Sequence, residues 1–373
     1  MSRAPHPVSI HLDPAGVRRI LVRSTNWVGD VVMCTPALRA IRRRFPQAEV
    51  VLMARAGVAE AYTRHAAVDR VVRYEPRGEH RTLASRWALA RALRREHFDL
   101  AVLFPRSFSA ALWAWLAGAR RRVGHRDDAR AWLLTDRLPR VDFRAPRHHV
   151  EVFFDLARAL GVEGDPGPLD YPLRPEERAA ARRLLEEAGD DGGRPRVAIH
   201  PGVSKTPRGW HAGRWRALAG RLARERGARV IVLGGPAEAP LAAEIAAAAA
   251  PLGTSLAGGT ALPESAALME MCDLLVANDS GAMHLAAAVG TPVVAIFGPG
   301  SPEKTGPWAD PSSVEVITHR FPCSPCRQDF FRECDPAPSG KPCCIESVTV
   351  DEVWEACRRQ LARGRGDRAA APA

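Results

Sequence analysis

Short β-branched apolar runs, each followed by a helical pattern, recur along nearly the whole chain. Arg19–Ser24, Glu49–Ala54, Val68–Tyr74 and Leu100–Phe104 read as strands, and Ala37–Arg44 and Thr82–Glu96 as helices between them. That rhythm demands a parallel sheet, because parallel neighbours need a crossover long enough to hold a helix. Gly161–Pro175 (GVEGDPGPLDYPLRP) interrupts it with glycine and proline and reads as a linker. The alternation then restarts. Val197–His200, Arg229–Gly234, Leu274–Ala277 and Pro292–Phe297 read as strands, Ala212–Arg226 and Ala239–Ala250 as helices, and Val348–Arg363 as a last amphipathic helix capped by Thr349 and Asp351. The chain is therefore expected to be an α/β protein with two parallel-sheet domains. The expected boundaries are an N-terminal extension over 1–17, a first domain over 18–165, a second over 166–345, a C-terminal helix over 346–363 and a disordered tail over 364–373.

Charge is unevenly placed. Of 53 Lys+Arg and 42 Asp+Glu, residues 1–165 hold 29 against 17, leaving 24 against 25 in the rest. A basic first half fits an anionic partner: a phosphorylated substrate, a negatively charged membrane face or nucleic acid. A merely solvated basic surface is the alternative. No helix-turn-helix, RNA-recognition or zinc-finger pattern accompanies the charge, so nucleic acid is not expected. No apolar run reaches the roughly 18–20 residues of a membrane span, and the N-terminus lacks the apolar core of a signal peptide. A cytoplasmic protein is expected.

Two glycine-centred turns sit where apolar strands give way to helices, the junction at which α/β proteins place ligands. In the first, Asn26-Trp27-Val28-Gly29-Asp30, a helix N-terminus would stabilise the Asp30 carboxylate in its charged form. Such a group can act as a general base, or it can simply complement the helix dipole. In the second, Asn278-Asp279-Ser280-Gly281-Ala282-Met283-His284, Asp279 and Ser280 are good N-caps. Gly281 allows close backbone approach, and the N–H groups beyond it suit a diphosphate. His284 falls one turn in, on the side of Ser280. An ordinary capped helix with a core histidine is the other reading. A third segment, His200 to Trp210, is a loop bringing Ser204, Lys205 and Arg208; only three lysines (Lys205, Lys304, Lys341) occur in the chain. No G-x-G-x-x-G is present, so a dinucleotide oxidoreductase is unsupported.

In order and spacing, these segments resemble glycosyltransferase family nine, from about Arg19 to Arg358. The resemblance rests on N-W-V-G-D-x-x-M-x-x-P-x-L (Asn26–Leu38), the H-P-G loop with Trp210, N-D-S-G-x-M-H, F-G-P (Phe297–Pro299) and T-G-P (Thr305–Pro307). It implies a GT-B architecture, two Rossmann-like domains facing a cleft, and an inverting transfer that requires no cofactor or metal. It also implies an ADP-heptose donor and a phosphorylated lipopolysaccharide inner-core acceptor, the second heptose being added to the first, at the inner face of the inner membrane. Another sugar nucleotide or acceptor within the family is the alternative.

Carried onto matching positions, the resemblance makes Asp30 the base. The N–H groups of Ser280 and Gly281 would hold the diphosphate, Asp279 the donor hydroxyls and His284 the diphosphate–ribose region. Thr260 to Leu262 would line the adenine pocket, and Glu238 would meet the ribose. The family usually carries lysine two residues before the tryptophan of the third segment, where this chain has Arg208; arginine keeps the charge, and Lys205 could take the role instead. On the acceptor side Asn26, Trp27 and Gly29 are expected, with Arg106, Arg122, Arg126 and Arg130 from a cluster that also includes Arg120 and Arg121. Trp113 and Trp115 are either core residues or contacts to the membrane interface.

Five cysteines crowd into Cys323-Ser324-Pro325-Cys326, Cys334 and Cys343-Cys344. Cys323, Cys326, Cys334 and Cys344 could hold a structural zinc; free or redox-active thiols are the alternative, since a reducing cytosol disfavours disulfides. Cys34 and Cys272 read as small core residues.

Overall fold

The computed structural model describes residues 8–142, 144–323, 326, 331–332 and 334–367. The chain divides into two compact units, the first running to Tyr171 and the second beginning at Pro172. In the first unit the strands are β1 (Arg19–Arg23), β2 (Glu49–Arg55), β3 (Arg70–Tyr74), β4 (Leu100–Leu103), β5 (Arg121–His125) and β6 (Asp136–Leu138). They form one parallel sheet in the order β3-β2-β1-β4-β5-β6. In the second unit they are β7 (Arg196–His200), β8 (Arg229–Val232), β9 (Gly253–Ser255), β10 (Leu274–Asn278), β11 (Val293–Phe297) and β12 (Val314–Thr318). Their order is β12-β11-β10-β7-β8-β9, again all parallel. Read from the other edge, the second sheet repeats the topology of the first. Each is a doubly wound sheet whose strand order reverses beside its first strand, at β1/β4 and at β7/β10.

The central strands are apolar throughout because helices cover both of their faces. Ile20, Leu21 and Val22 of β1 and Leu274–Ala277 of β10 are fully buried. In the first unit, the helices Leu83–Arg94 and Phe108–Leu116 pack on one side through Ala90, Leu93, Trp113 and Ala114. The helices Val28–Met33, Thr35–Arg44 and His149–Ala159 pack with one another. In the second unit, the helices Ala212–Arg226, Ala239–Ala248 and Val350–Asp367 share one core with β7, β8, β10 and β11.

The expected β rhythm is present, and the structure extends it. β5, β6, β9 and β12 were not among the expected strands, nor were the helices His149–Ala159 and Pro175–Glu187. The first helix starts at the Asn26–Asp30 turn, as expected, and breaks in two at Cys34, where Pro36 opens the second piece at its second position. The C-terminal helix runs on to Asp367, so the expected tail is helical over 364–367; residues 368–373 lie outside the described residues, as do 1–7. Residues 8–17 are tied down in part, since the Ile10 N–H donates to the Ala159 carbonyl at 2.8 Å. Cys34 and Cys272 are buried, as expected. Trp113 is a core residue, whereas Trp115 is 48% exposed.

Candidate active site

Asp30 is the third residue of the short helix Val28–Met33, which begins directly after β1 with Trp27 as its extended N-cap. The backbone of β1 ends on a buried polar footing. Arg23 donates to the Met53 carbonyl at 2.8 Å, and Ser24 Oγ lies 2.9 Å from both the Thr25 carbonyl and the Tyr62 hydroxyl. Cys34, beneath Asp30, has its thiol pKa pushed well up by burial and by the nearby carboxylate. This footing fixes the turn, so the carboxylate faces outward into a cavity of about 510 Å³.

The cavity sits at the β1/β4 switch point. Thr25, Asn26, Trp27 and Asp30 line it from the end of β1, and Phe104, Pro105, Arg106 and Ser107 from the end of β4. Burial lowers the Arg106 pKa, while the carboxylates of Asp127 and Asp30 act in the opposite direction. The site thus holds a cation within electrostatic reach of Asp30. Its far wall is aromatic: His149, Phe153 and Phe104 meet edge to face in sequence. His149 Nδ1 stands 3.9 Å from Asp30 Oδ1, too long for a hydrogen bond and short enough for both groups to address the same small space.

The structure divides the expected acceptor residues. Asn26, Trp27 and Arg106 line the cavity with Asp30, and Gly29 lies buried in the helix turn beneath them. Arg130 is fully buried; its guanidinium donates to the Pro105 and Ser107 carbonyls and, at 2.8 Å, to the His125 carbonyl. Burial lowers its pKa to about 10. Arg130 therefore shapes the loop that carries Arg106 instead of reaching a ligand. Arg122 is not at the site. It is the second residue of β5, at the opposite end of the sheet, with its side chain on the carbonyls of Leu133 and Ala119. Arg120 and Arg121 share that end, near Asp99 and Asp136 respectively. Arg126 is exposed just past the end of β5 and does not line the cavity. His149, Asp127 and Asp128 line it without having been expected.

The second unit repeats the arrangement at the β7/β10 switch point. Asn278 ends β10 and locks two loops, accepting from the Trp210 N–H at 3.0 Å and donating to the Pro201 carbonyl at 2.6 Å. Asp279 is buried next to it, with Arg208 Nη1 3.4 Å from its Oδ2. Ser280 is the N-cap of the helix Gly281–Ala288, yet its hydroxyl makes no cap bond. Among the described residues Ser280 Oγ is buried with no hydrogen-bond partner. A buried hydroxyl left open at a helix N-terminus is a seat for an anion. His284 is buried one turn further in. Lys205 and Ser204 are exposed on the loop before Arg208.

Glu238 accepts from the Gly235 N–H at 2.8 Å and abuts His200 and Gly202, at the ends of β8 and β7. Burial lowers the pKa of His200 despite the Glu238 charge. The loop reaching Thr260 docks there too, through the Gly258 N–H donating to the Gly234 carbonyl at 2.9 Å. Thr260 Oγ1 lies 2.8 Å from Ser265 Oγ, and Leu262 opens the helix Leu262–Glu270. The expected donor residues are thus gathered at the carboxyl edge of one sheet.

The described cysteines are free thiols. Burial, with Cys334 and Cys326 nearby, raises the pKa of Cys323, and burial pushes that of Cys344 up to about 12. Among the described residues no group of three or more His, Cys, Asp or Glu is set to hold a metal ion.

The sequence model of glycosyltransferase family 9 (heptosyltransferase) matches residues 86–333. Lipopolysaccharide heptosyltransferase 2 of Escherichia coli K12 is 31% identical over 308 residues, which cover 79% of this chain and 87% of that protein. Its counterpart in Salmonella typhimurium LT2 is 30% identical over the same shares of the two chains. The solved structure of E. coli ADP-heptose lps heptosyltransferase II superposes with a TM-score of 0.76 at 27% identity, covering 93% of this chain and 100% of that one.

Proposed function

The chain belongs to glycosyltransferase family 9 and is a glycosyltransferase, and from that premise we propose that it moves a heptose from ADP-heptose to the inner core of lipopolysaccharide, adding the second heptose to the first. The observation that carries this reading is the Asp30 carboxylate, fixed at the β1/β4 switch point in a cavity with a half-buried cation and an aromatic wall.

In the proposed reaction a hydroxyl of the acceptor heptose gives its proton to Asp30 and attacks the anomeric carbon of the donor. The bond to the diphosphate breaks on the opposite side, so the configuration inverts and ADP departs with the electron pair. Arg106 is suited to a phosphate or carboxylate of the acceptor, and Trp27 to the face of a sugar ring. On the donor side, the Ser280 hydroxyl and the N–H groups that open the helix Gly281–Ala288 would take up the charge on the leaving diphosphate. Arg208 would complete that site and Asp279 would bind donor hydroxyls. Glu238, Thr260 and Leu262 would meet the nucleoside. No metal is assigned to any step.

Lipopolysaccharide is membrane-anchored, and no described helix is long and apolar enough to cross a membrane. The enzyme is accordingly proposed to work as a peripheral protein at the inner face of the inner membrane, where the basic excess of residues 1–165 would favour an anionic surface. Mass spectrometry of products formed from ADP-heptose, with inner-core acceptors carrying or lacking the first heptose, tests the assignment. Transfer to the heptosylated acceptor alone is expected. Transfer to neither acceptor refutes the donor–acceptor pair, and transfer to the unheptosylated one refutes the position.

A further inference from the structure

The helix Leu83–Arg94 turns an unusual face to solvent. Leu83 is 82% exposed and Trp87, one turn on, 61%; Ala84, Ala88 and Ala92 lie exposed on the same side. Inward it contributes only Ala90 and Leu93 to the core as buried residues. Residues 81–95 contain five arginines and no carboxylate. Four of these, Arg81, Arg91, Arg94 and Arg95, are exposed around the apolar stripe. The helix Phe108–Leu116 packs beside it, with Arg94 lying against Gly118 just past its end, and it adds the exposed Trp115.

We propose that this face, Leu83 and Trp87 with Trp115 and the surrounding arginines, is the surface by which the protein seats itself on an anionic lipid bilayer. The proposal rests on the reading of the acceptor as membrane-anchored and names the face involved.

Three observations favour a bilayer over other occupants. A leucine and tryptophans with a rim of arginines match the interfacial region, where aromatic and aliphatic groups enter the headgroup–acyl boundary and guanidinium groups stay at the phosphates. A second copy of the chain, docked through the same face about a two-fold axis, would set this carboxylate-free arginine rim against its own image. The face is also close to the site of chemistry. The Phe108–Leu116 helix begins at Ser107, which lines the Asp30 cavity, and spans about 13 Å. A sugar anchored in the bilayer by its lipid would therefore be presented near Asp30.

The test compares the full-length wild type with the double variant Leu83→Ser/Trp87→Ser. Sedimentation is measured with phosphatidylcholine vesicles containing or lacking phosphatidylglycerol, and turnover with an acceptor stripped of its acyl chains. The wild type is expected to sediment with the anionic vesicles and to be released by salt. The double variant should lose that binding by about tenfold or more, with circular dichroism and turnover on the stripped acceptor unchanged. A wild type that ignores anionic vesicles, or a double variant that binds them equally well, overturns the proposal. So does a wild-type dimer in sedimentation velocity that the substitutions dissociate. Failure of the wild type to act on the stripped acceptor would instead count against the proposed reaction, and the vesicle measurement would still stand.

Discussion

At the scale of single residues, the proposed donor site turns on which cation would face the diphosphate. Arg208 Nη1 lies 3.4 Å from the buried Asp279 carboxylate, whereas Lys205 is exposed on the loop before it. A charge-assisted hydrogen bond to phosphate contributes about 1.5–3 kcal/mol. Arg208→Ala is thus expected to weaken ADP binding by about tenfold or more in calorimetric titration, and Lys205→Ala to change it by less than about twofold. The reverse order would hand the role to Lys205. Asp30, Asp279 and Ser280 were legible in the sequence because each follows an apolar strand at a turn whose residue types suit a helix start. His149 was not, because a histidine pair ahead of a helix reads as a simple cap. His148 does cap, accepting from the Val150 N–H, and it is the next residue that reaches the cavity. Arg122 was misplaced for a related reason. Two arginines open β5 and hide the strand, so the residue was expected at a loop by the site when it lies at the sheet's other end.

At the scale of elements, the fully buried strands announced themselves, whereas of the four edge strands only β3 did, and the interior β5, opened by two arginines, did not. β1, β4, β7, β10 and β11 are buried on both faces and read as continuous apolar runs. β9 is the three residues Gly253–Ser255 and β12 is only partly buried, so neither carries that signal. The same logic explains the loop after β11. A Cβ on Gly300 would fall 2.2 Å from Asp279 Oδ2 and 3.0 Å from the Phe297 ring, so glycine is what lets this loop close on the turn after β10. Gly300→Ala must push the Asp279 carboxylate or the loop aside, at a cost of about 1–3 kcal/mol. A lower thermal midpoint together with weaker ADP binding is expected. Unchanged values for both would show that the loop and Asp279 are not coupled.

At the scale of the whole molecule, one topology is used twice. Each unit reverses its strand order beside its first strand, and each puts its polar turns at that reversal, with Asp30 and Arg106 in one and Arg208 and Asp279 in the other. The sequence exposed this duplication through rhythm alone, because a strand–helix alternation broken by Gly161–Pro175 requires two sheets. The proposed separation of roles drew on charge, with the basic excess confined to the first 165 residues. Which carboxylates and histidines converge in space was beyond it, since Asp30, Asp127 and His149 come from three distant segments. The central claim is that Asp30 takes the acceptor's proton, and the most direct test is turnover of Asp30→Asn with saturating ADP-heptose and heptosylated acceptor. Asparagine keeps the shape of the side chain and cannot serve as the base. Turnover is therefore predicted to fall by about 10²–10⁴ with donor affinity retained, and turnover equal to that of the wild type would contradict the account.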